Sequence, residues 1–291
     1  MIDHNTRARA PSSACPVDGS RKGSESQPSV TRPTDHDPRF VSYYEELSTN
    51  PRTLARFEAI QKVLLRVLGP NAAATTLDVA DIGCNTGMQC HLWAKLGHRV
   101  RGLDISDALL QVARRRAAEA GLPIVFELGS ATSLPWPDAS MDVCIAPELL
   151  EHVADWQSCV NEFARVLRPG GVLYLTTTNV LCPRQEEFTL PFYSWYPPPV
   201  KRYCERLAVT THPQIVNYAS YPAVHWFSFY GLRRYLDRLG LTSMDRFDVI
   251  DIDEKHGAVR LALKTIRAMP PARLLAHMTQ GGTMLVAVKR V

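Results

Sequence analysis

Long apolar runs are missing from the sequence. No stretch approaches the ~20 consecutive apolar residues that a transmembrane helix requires. The first residues, MIDHNTRARA, also lack the apolar core of a signal peptide. From these two absences we expect a cytoplasmic protein that has no transmembrane segment.

Cysteine is scarce, and its spacing is uninformative. The 291 residues include seven cysteines, an odd number, and none of them forms a C-x-x-C pair or another spacing typical of a metal site. We therefore expect reduced thiols, as is usual in the cytosol, and no bound metal.

An excess of charge of one sign is also missing. The chain carries 33 basic and 29 acidic residues, a formal net charge of +4, and no dense block of Lys and Arg. Proteins that bind nucleic acid concentrate basic residues on one surface. We therefore expect no nucleic-acid partner, and nothing in the sequence indicates an oligomeric state.

The composition divides the chain into three parts. Residues 1–37 are rich in Ser, Pro, Gly, Thr and charge, which predicts a disordered tail. Residues 38–76 contain apolar side chains at helical spacing up to Leu68, followed by Gly69 and Pro70, which predicts an amphipathic helix over 43–68 that caps a core. Residues 77–291 form the third part, the predicted main domain.

Short apolar strands alternate with helical segments in this main domain. The predicted strands cover 77–82, 99–104, 123–128, 141–146, 171–178, 243–251 and 283–291. The predicted helices cover 87–96, 107–120, 155–167, 230–239 and 261–278. This alternation predicts a doubly wound α/β fold around a largely parallel sheet.

The alternation is interrupted at residues 180–230, which are crowded with proline and aromatic residues. The segment follows the fifth strand, at the carboxyl edge where open α/β sheets bind ligands, and its rings suit an apolar or ring-containing ligand. We predict a lid there that contacts the substrate through Trp195, Tyr196, Tyr203, Trp226 and Tyr230. In the alternative interpretation, the rings only pack the insertion onto the sheet.

The basic residues of the insertion also have two interpretations. They could engage an acidic or phosphorylated group of the substrate, or they could form a solvated surface. The residues concerned are Arg184, Lys201, Arg202 and Arg206.

The strongest local motif lies at the end of the first predicted strand. Residues 80–87 read ADIGCNTG, an apolar strand that enters a glycine-containing turn and then a helix. Such a turn points backbone N–H groups at a ligand. The spacing from Gly83 to Gly87 is G-x-x-x-G, which differs from the G-x-G-x-x-G of dinucleotide sites and from the phosphate loop. Asp104 ends the second strand, where Rossmann-type folds place an acid that accepts from ribose hydroxyls. Together these features predict a nucleoside ligand without a pyrophosphate.

Five segments resemble the class I S-adenosylmethionine-dependent methyltransferases, in particular the small-molecule, ubiquinone-biosynthesis-like group called methyltransferase type 11. The segments are 81–87, Asp104, 130–136, 148–153 and 166–171. The resemblance implies a Rossmann-like seven-stranded sheet whose last strand is antiparallel. It also implies S-adenosylmethionine as the cofactor and a small-molecule acceptor.

The resemblance assigns roles to individual residues. Gly83 and Gly87 flank the methionine part of the cofactor, Asp81 fixes the loop or meets the cofactor's amino group, and Asp104 binds the ribose. The full set of implied cofactor-binding residues is Asp81, Gly83, Cys84, Asn85, Gly87, Asp104, Ile105, Ser130, Ala131, Thr132 and Glu148. Asn85 occupies a position where many family members have glycine, which is compatible with a positive φ because Asn adopts it more readily than most residues. Ser130 stands where an aspartate usually meets adenine.

Two residues after the fourth strand are candidates for catalysis. His152 could accept a proton from the acceptor, because the unperturbed pKa of histidine is near ~6.5. Glu151 is the second candidate, and for both residues a framework role stays an open alternative. We expect methyl transfer to a small, apolar or ring-containing metabolite. The alternatives are an RNA or protein methyltransferase, or a catalytically silent nucleoside-binding protein. An NAD oxidoreductase is disfavoured by the glycine spacing.

Overall fold

A computed structural model of the chain describes residues 38–184, 188–212 and 223–291. The predicted tail, 1–37, lies outside the described residues, as do parts of the predicted lid. All described residues belong to one compact unit. In this part of the chain, no helix has the length and apolar character needed to cross a membrane.

The described residues form seven strands. They are β1 (Asp78–Ile82), β2 (Arg99–Asp104), β3 (Val125–Leu128), β4 (Met141–Pro147), β5 (Leu167–Thr178), β6 (Leu241–Asp245) and β7 (Gly282–Lys289). The helices are α1 (Pro38–Thr49), α2 (Pro51–Leu68), α3 (Met88–Lys95), α4 (Asp107–Glu119), α5 (Trp156–Val166), α6 (Pro198–Thr210), α7 (Phe229–Arg238), α8 (Arg246–Val249), α9 (Gly257–Ala268) and α10 (Pro270–Met278). Short 3₁₀ helices cover Pro70–Ala74, Leu150–His152 and Tyr193–Trp195.

The seven strands form one sheet in the order β3-β2-β1-β4-β5-β7-β6. Strands β1 to β5 pair in parallel, and β7 lies antiparallel between β5 and β6. The predicted doubly wound seven-stranded sheet with an antiparallel last strand is therefore confirmed. The carboxyl ends of β1 to β6 meet at one edge, which we call the carboxyl edge.

Alternation along the strands gives the sheet two apolar faces. In β5, Val172 and Tyr174 pack in the core that includes α2, α3 and α4, whereas Leu173 and Leu175 pack in the opposite core with α5 and α7. Successive side chains of a strand point to opposite faces, so each strand contributes to both cores. Helix α2 covers the first core through the buried residues Ile60 and Leu64.

The single helix predicted over 43–68 was wrong, because the chain forms α1 and α2 with a break at Asn50. Asn50 is extended (φ −61°, ψ 134°), and its side chain accepts a hydrogen bond from the backbone N–H of Arg52 at 2.9 Å. Pro51 then occupies the first turn, where its missing N–H is not needed. The predicted end of the helix is confirmed at Leu68.

Two predicted elements near the end of the chain were also wrong. The strand predicted over 243–251 ends at Asp245, because the Asp245 carboxylate accepts from the backbone N–H groups of Phe247 and Asp248 and starts the short helix α8. The helix predicted over 261–278 is two helices that meet at Met269. Met269 precedes two prolines and adopts an extended conformation (φ −115°, ψ 109°), as residues before proline usually do.

The fifth strand and the insertion contain more regular structure than predicted. Strand β5 begins at Leu167 rather than at residue 171, with an irregularity in its pairing with β4. The insertion contains the helix α6, which starts in a run of prolines that is compatible with a first helical turn. Its described parts also form a small apolar cluster of their own, the insertion cluster, made of Phe188, Leu190, Tyr193, Tyr196, Cys204, Ala208 and Trp226.

Candidate functional site

The turn between β1 and α3, residues 83–87, lies at the carboxyl edge. Gly83, Asn85 and Gly87 all have positive φ, at 77°, 53° and 76°. The positive φ that the sequence required of Asn85 is therefore present. The N–H groups of Gly83 and Cys84 both donate to the carbonyl of Leu103 in β2, at 2.8 and 3.0 Å. These bonds fix the first half of the turn against the neighbouring strand.

Asp104 fixes the second half of the turn. Its Oδ2 accepts from the backbone N–H of Asn85 at 2.8 Å, and its Oδ1 accepts from that of Ser106 at 2.9 Å. The carboxylate is nearly buried. An ionised carboxylate has about four acceptor positions, so these two bonds are compatible with a hydroxyl donor from a ligand. Ile105, which follows Asp104 in the chain, has an exposed side chain.

Asp81 lies beneath the same turn, in the interior. Its carboxyl group accepts from the Cys90 thiol at 3.2 Å. Burial raises the pKa of Asp81 to about 7, the Cys90 bond lowers it, and the negative charge of Asp104 raises it further. Burial likewise raises the pKa of the Cys90 thiol, so Cys90 is a neutral donor. None of the six described cysteines forms a disulfide, and all six are buried.

Close packing explains one glycine of the turn and reveals a second glycine that sequence reasoning missed. A Cβ at Gly87 would lie 2.8 Å from the Phe126 ring and 2.9 Å from Ala113. A Cβ at Gly102, in β2, would lie 2.7 Å from the same ring and 2.9 Å from the Cys84 sulfur. Any other residue at these positions would therefore displace the turn. Gly102 can be read from the sequence, but only the position of the Phe126 ring in the structure explains why glycine is needed there.

The predicted adenine-side residues lie beside Asp104. The N–H of Gly129 donates to the carbonyl of Asp104 at 2.9 Å, which brings the end of β3 to the turn. Ser130 and Thr132 follow, with their hydroxyl oxygens 2.8 Å apart, and Ser130 is exposed. Ala131 is buried in the core below them. The bond from Gly129 to Asp104 and the burial of Ala131 thus fix the position of the two hydroxyls.

Glu148 follows β4 at the carboxyl edge and has a positive φ of 52°. Such a conformation costs a non-glycine residue about 1–3 kcal/mol and occurs preferentially at functional sites. The N–H of Glu148 donates to the carbonyl of Thr176 at 2.8 Å, and its side chain is exposed. The neighbouring Leu149 side chain lies over Gly83, 3.3 Å from where a Cβ would stand.

The two candidate catalytic residues have different surroundings. Glu151 is buried, its carboxylate accepts from the Thr177 hydroxyl at 2.8 Å, and its carbonyl accepts from the N–H groups of Val224 and His225. His152 ends the 3₁₀ helix and is exposed at the carboxyl edge. Glu151 therefore joins β5 to the returning end of the insertion, whereas the His152 side chain is exposed.

The five predicted lid residues fall into two groups. Tyr196 and Trp226 pack into the insertion cluster, where Phe188 and Tyr193 stack with ring centroids 3.8 Å apart. The other three, Trp195, Tyr203 and Tyr230, are exposed. Trp195 is held by its indole N–H, which donates to the carbonyl of Val180 at 2.7 Å.

The basic residues of the insertion also differ in exposure. Lys201 is half-buried, with its ammonium 5.1 Å from the centre of the Trp226 ring and 2.7 Å from the carbonyl of Ser194. Burial lowers the pKa of Lys201. Arg184, Arg202 and Arg206 are exposed. Within the described residues, no group of three or more His, Cys, Asp or Glu side chains is arranged to hold a metal ion.

Comparison with known proteins bears on the segment that carries this site. Residues 80–175 match the family model of a methyltransferase domain. We call this matched segment the methyltransferase domain. This methyltransferase domain contains the turn, Asp104, the hydroxyl pair and the end of β4.

Two curated relatives are similar to part of this chain. A ubiquinone biosynthesis O-methyltransferase of Methylobacterium sp. (strain 4-46) is 32% identical over 160 residues, which cover 49% of this chain and 64% of the relative. A malonyl-[acyl-carrier protein] O-methyltransferase of Serratia marcescens is 35% identical over 112 residues, 38% of this chain and 42% of the relative. The chain thus spans less than two thirds of the length of these relatives.

A solved structure of phosphoethanolamine N-methyltransferase 2 from Haemonchus contortus, in complex with S-adenosyl-L-methionine, has the same fold. The TM-score is 0.56 at 17% identity, and the match covers 89% of this chain and 59% of that chain. At this identity the likeness concerns the fold alone.

The buried carboxyl group of Asp81 predicts an unusual pH dependence for the methyltransferase domain. The pKa of Asp81 is about 7 when folded, against ~3.9 in an unfolded chain. Between these values the folded protein keeps a proton that the unfolded chain releases, so the free energy of unfolding should fall as pH rises through this range. Asp81→Asn should remove this pH dependence. The free energy of unfolding of the variant, relative to that of wild type, should therefore rise by roughly 1–3 kcal/mol between about pH 5 and about pH 8.

Thermal unfolding at several pH values measures the effect. Asp107→Asn, which changes a half-exposed carboxylate on α4, is the control and should keep the wild-type slope between about pH 5 and about pH 8. Identical pH profiles for Asp81→Asn and wild type would show that Asp81 is ionised in the folded protein.

Proposed function

We propose that the chain is an S-adenosylmethionine-dependent O-methyltransferase whose acceptor is a small, apolar or ring-containing molecule. The observation that carries the proposal is the hydrogen bond from the Asn85 N–H to Asp104, which holds a carboxylate beside the glycine-containing turn of the methyltransferase domain. The names of the two curated relatives support oxygen as the methylated atom, but they name different acceptors.

The residues at the carboxyl edge fit the parts of this cofactor. Asp104 would accept from the ribose hydroxyls, and the Ser130 and Thr132 hydroxyls would border the adenine. Gly83, Cys84, Asn85 and Gly87 would surround the methionine part, with Asp81 beneath them, and Ile105 and Glu148 would complete the walls. The positive φ of Asn85 keeps its N–H bonded to Asp104, so binding requires no rearrangement of the turn.

Asp104→Ala tests the cofactor assignment by calorimetry with S-adenosylmethionine. Loss of charge-assisted hydrogen bonds should weaken binding about ten- to a hundredfold. Asp107→Ala removes a carboxylate three positions further along the chain and should leave binding unchanged, because Asp107 bonds to Gln111 and Arg114 instead. NAD should not bind to wild type. Binding of NAD without binding of S-adenosylmethionine would refute the proposed function.

The methylation step asks little of the protein beyond geometry. S-adenosylmethionine, when bound, supplies a methyl group activated by a sulfonium. The site must hold the acceptor oxygen in line with that group and exclude water. His152 is exposed at the end of β4 and would take the proton of the acceptor hydroxyl. Glu151 would position the local chain, because its carboxylate is engaged by Thr177.

His152→Ala should lower kcat about 10²–10⁴-fold if the acceptor is a hydroxyl whose proton His152 receives. The measurement uses labelled S-adenosylmethionine and an acceptor found by screening metabolites, with RNA and protein extracts included as rival acceptors. Cofactor affinity should be unchanged in the variant. A wild-type rate in the variant would show that His152 has a structural role and does not receive the proton.

The insertion would cover the acceptor. Trp195, Tyr203 and Tyr230 expose ring surface that an apolar acceptor would bury, while Tyr196 and Trp226 hold the insertion together through its own cluster. The insertion is fastened to the methyltransferase domain through Glu151 and through the bond from the Thr178 hydroxyl to the carbonyl of His225. These contacts fix the end of the insertion that returns to the sheet.

Hydrogen exchange should distinguish a lid from a fixed wall. We expect residues 188–212 to exchange faster than β1 and β4 in the free protein and to gain protection when cofactor and acceptor are both bound, because lids belong to the less stable parts of a structure. Strands β1 and β4 serve as the internal control. Equal protection of the insertion and these strands before binding, with no change afterwards, would make the insertion a fixed wall.

A further inference from the structure

Arg246, the first residue of α8, has a half-buried side chain without an acidic partner. Its Nη1 donates to the side-chain oxygen of Gln280, and no carboxylate of the described residues forms an ion pair with the guanidinium. Burial lowers the pKa of Arg246, because it disfavours the charged form. A guanidinium nevertheless keeps its charge in proteins, so taking it out of water is costly unless an anion compensates.

The acidic residues closest to Arg246 in the sequence are bound to other groups. The Asp245 carboxylate accepts from Arg273 at 2.7 Å and lies 2.8 Å from Nε2 of His277. It also accepts from two backbone N–H groups at the start of α8. The Asp248 carboxylate accepts from Arg273 as well. Arg246 is therefore paired with neither of these acids.

The contact with Gln280 leaves one edge of the Arg246 guanidinium free. Nη1 is engaged, whereas no described residue accepts a hydrogen bond from Nε or Nη2. The N–H groups of Nε and Nη2 are parallel in a planar group, and such a pair matches the two oxygens of a carboxylate. The free edge is thus the one suited to binding a carboxylate through two hydrogen bonds.

Arg246 lies at the same level of the sheet as the ends of β4 and β5. The last residue of β6 pairs with Leu285 of β7, and the preceding residue of β7, Met284, pairs with Thr176 of β5. The Thr176 carbonyl accepts from the N–H of Glu148, which follows β4. Arg246 and Glu148 therefore stand on either side of β5 and β7 at the carboxyl edge, across three strand spacings of about 4.8 Å each.

Two hydroxyl groups of β5 lie in this region without a hydrogen-bond partner among the described residues. One is Thr176 Oγ1, which is buried, and the other belongs to Tyr174, which is 5% exposed and lies on the same face of the strand. Burial raises the pKa of Tyr174 to about 12, and the charge of Arg56 lowers it. The charge of Glu148 raises this pKa, and that of Arg246 lowers it. Because buried polar groups are normally hydrogen-bonded, the two hydroxyls indicate a place for a polar group of a ligand.

We propose that the acceptor of this methyltransferase carries a carboxylate, which binds to Nε and Nη2 of Arg246. The Tyr174 hydroxyl donates to the same carboxylate. This inference rests on the proposed function and adds that the apolar or ring-containing body of the acceptor ends in an acid. The body extends from Arg246 toward Glu148, so the oxygen to be methylated lies on the side of the edge that carries the cofactor turn. The negative charge of Glu148 disfavours a second acidic group at that end.

Matched probes test the carboxylate site in the full chain without cofactor. Benzoate and benzamide have nearly the same shape but differ in charge, and saturation-transfer NMR measures their dissociation constants. Wild type should bind benzoate at least about tenfold more tightly, because hydrogen bonds to a charged group are the stronger ones. Arg246→Gln should lose this preference, and Arg246→Lys should keep only part of it, because lysine lacks the paired N–H groups. Tyr174→Phe should weaken benzoate binding about three- to tenfold.

Arg234→Gln, which removes an exposed guanidinium on α7, is the matched control and should keep the wild-type preference. Thermal unfolding checks the fold of every variant. Calorimetry of wild type with S-adenosylmethionine tests the proposed function separately, because benzoate binding needs no cofactor. The carboxylate site is overturned if wild type binds benzoate and benzamide equally, if it binds neither, or if Arg246→Gln keeps the preference. Tighter binding of phenyl phosphate than of benzoate would overturn it in favour of a phosphate site.

Discussion

The hydrogen bond from the Asn85 backbone to the Asp104 carboxylate is the contact on which the site depends. It joins the turn after β1 to the end of β2 at 2.8 Å, and the same carboxylate anchors Ser106 at the start of α4. Because Asn85 has a positive φ, its N–H points at Asp104 rather than at solvent. One side chain thereby fixes the turn, the start of a helix and the place where a ribose would bind. Its removal affects all three.

Packing beneath the turn is tight, and glycines and buried neutral groups fill the space there. Gly87 and Gly102 leave room for the Phe126 ring, and Cys90 donates to Asp81. Burial favours the neutral form of Asp81, and a cationic ligand group above it would favour the ionised form. The proposed cofactor carries such groups.

The insertion and the β6–β7 connection are both attached to the sheet at the carboxyl edge. Glu151 receives the returning end of the insertion through its backbone, and Asn179 receives the end of α10 through its side chain. The insertion and the β6–β7 connection are thus fixed to the same strand, β5.

The sequence by itself determined the alternation of strands and helices and the turn with Asp104, because strand periodicity and glycine spacing are local patterns with a direct physical meaning. It did not determine the break at Asn50 or the end of β6 at Asp245, where single side-chain hydrogen bonds override the apolar pattern. Only the tertiary structure decided that Gly102 must be glycine, that Glu151 faces Thr177 and that Leu261 stays exposed. Each of these depends on residues distant in sequence, whose side chains meet only when the sheet has assembled.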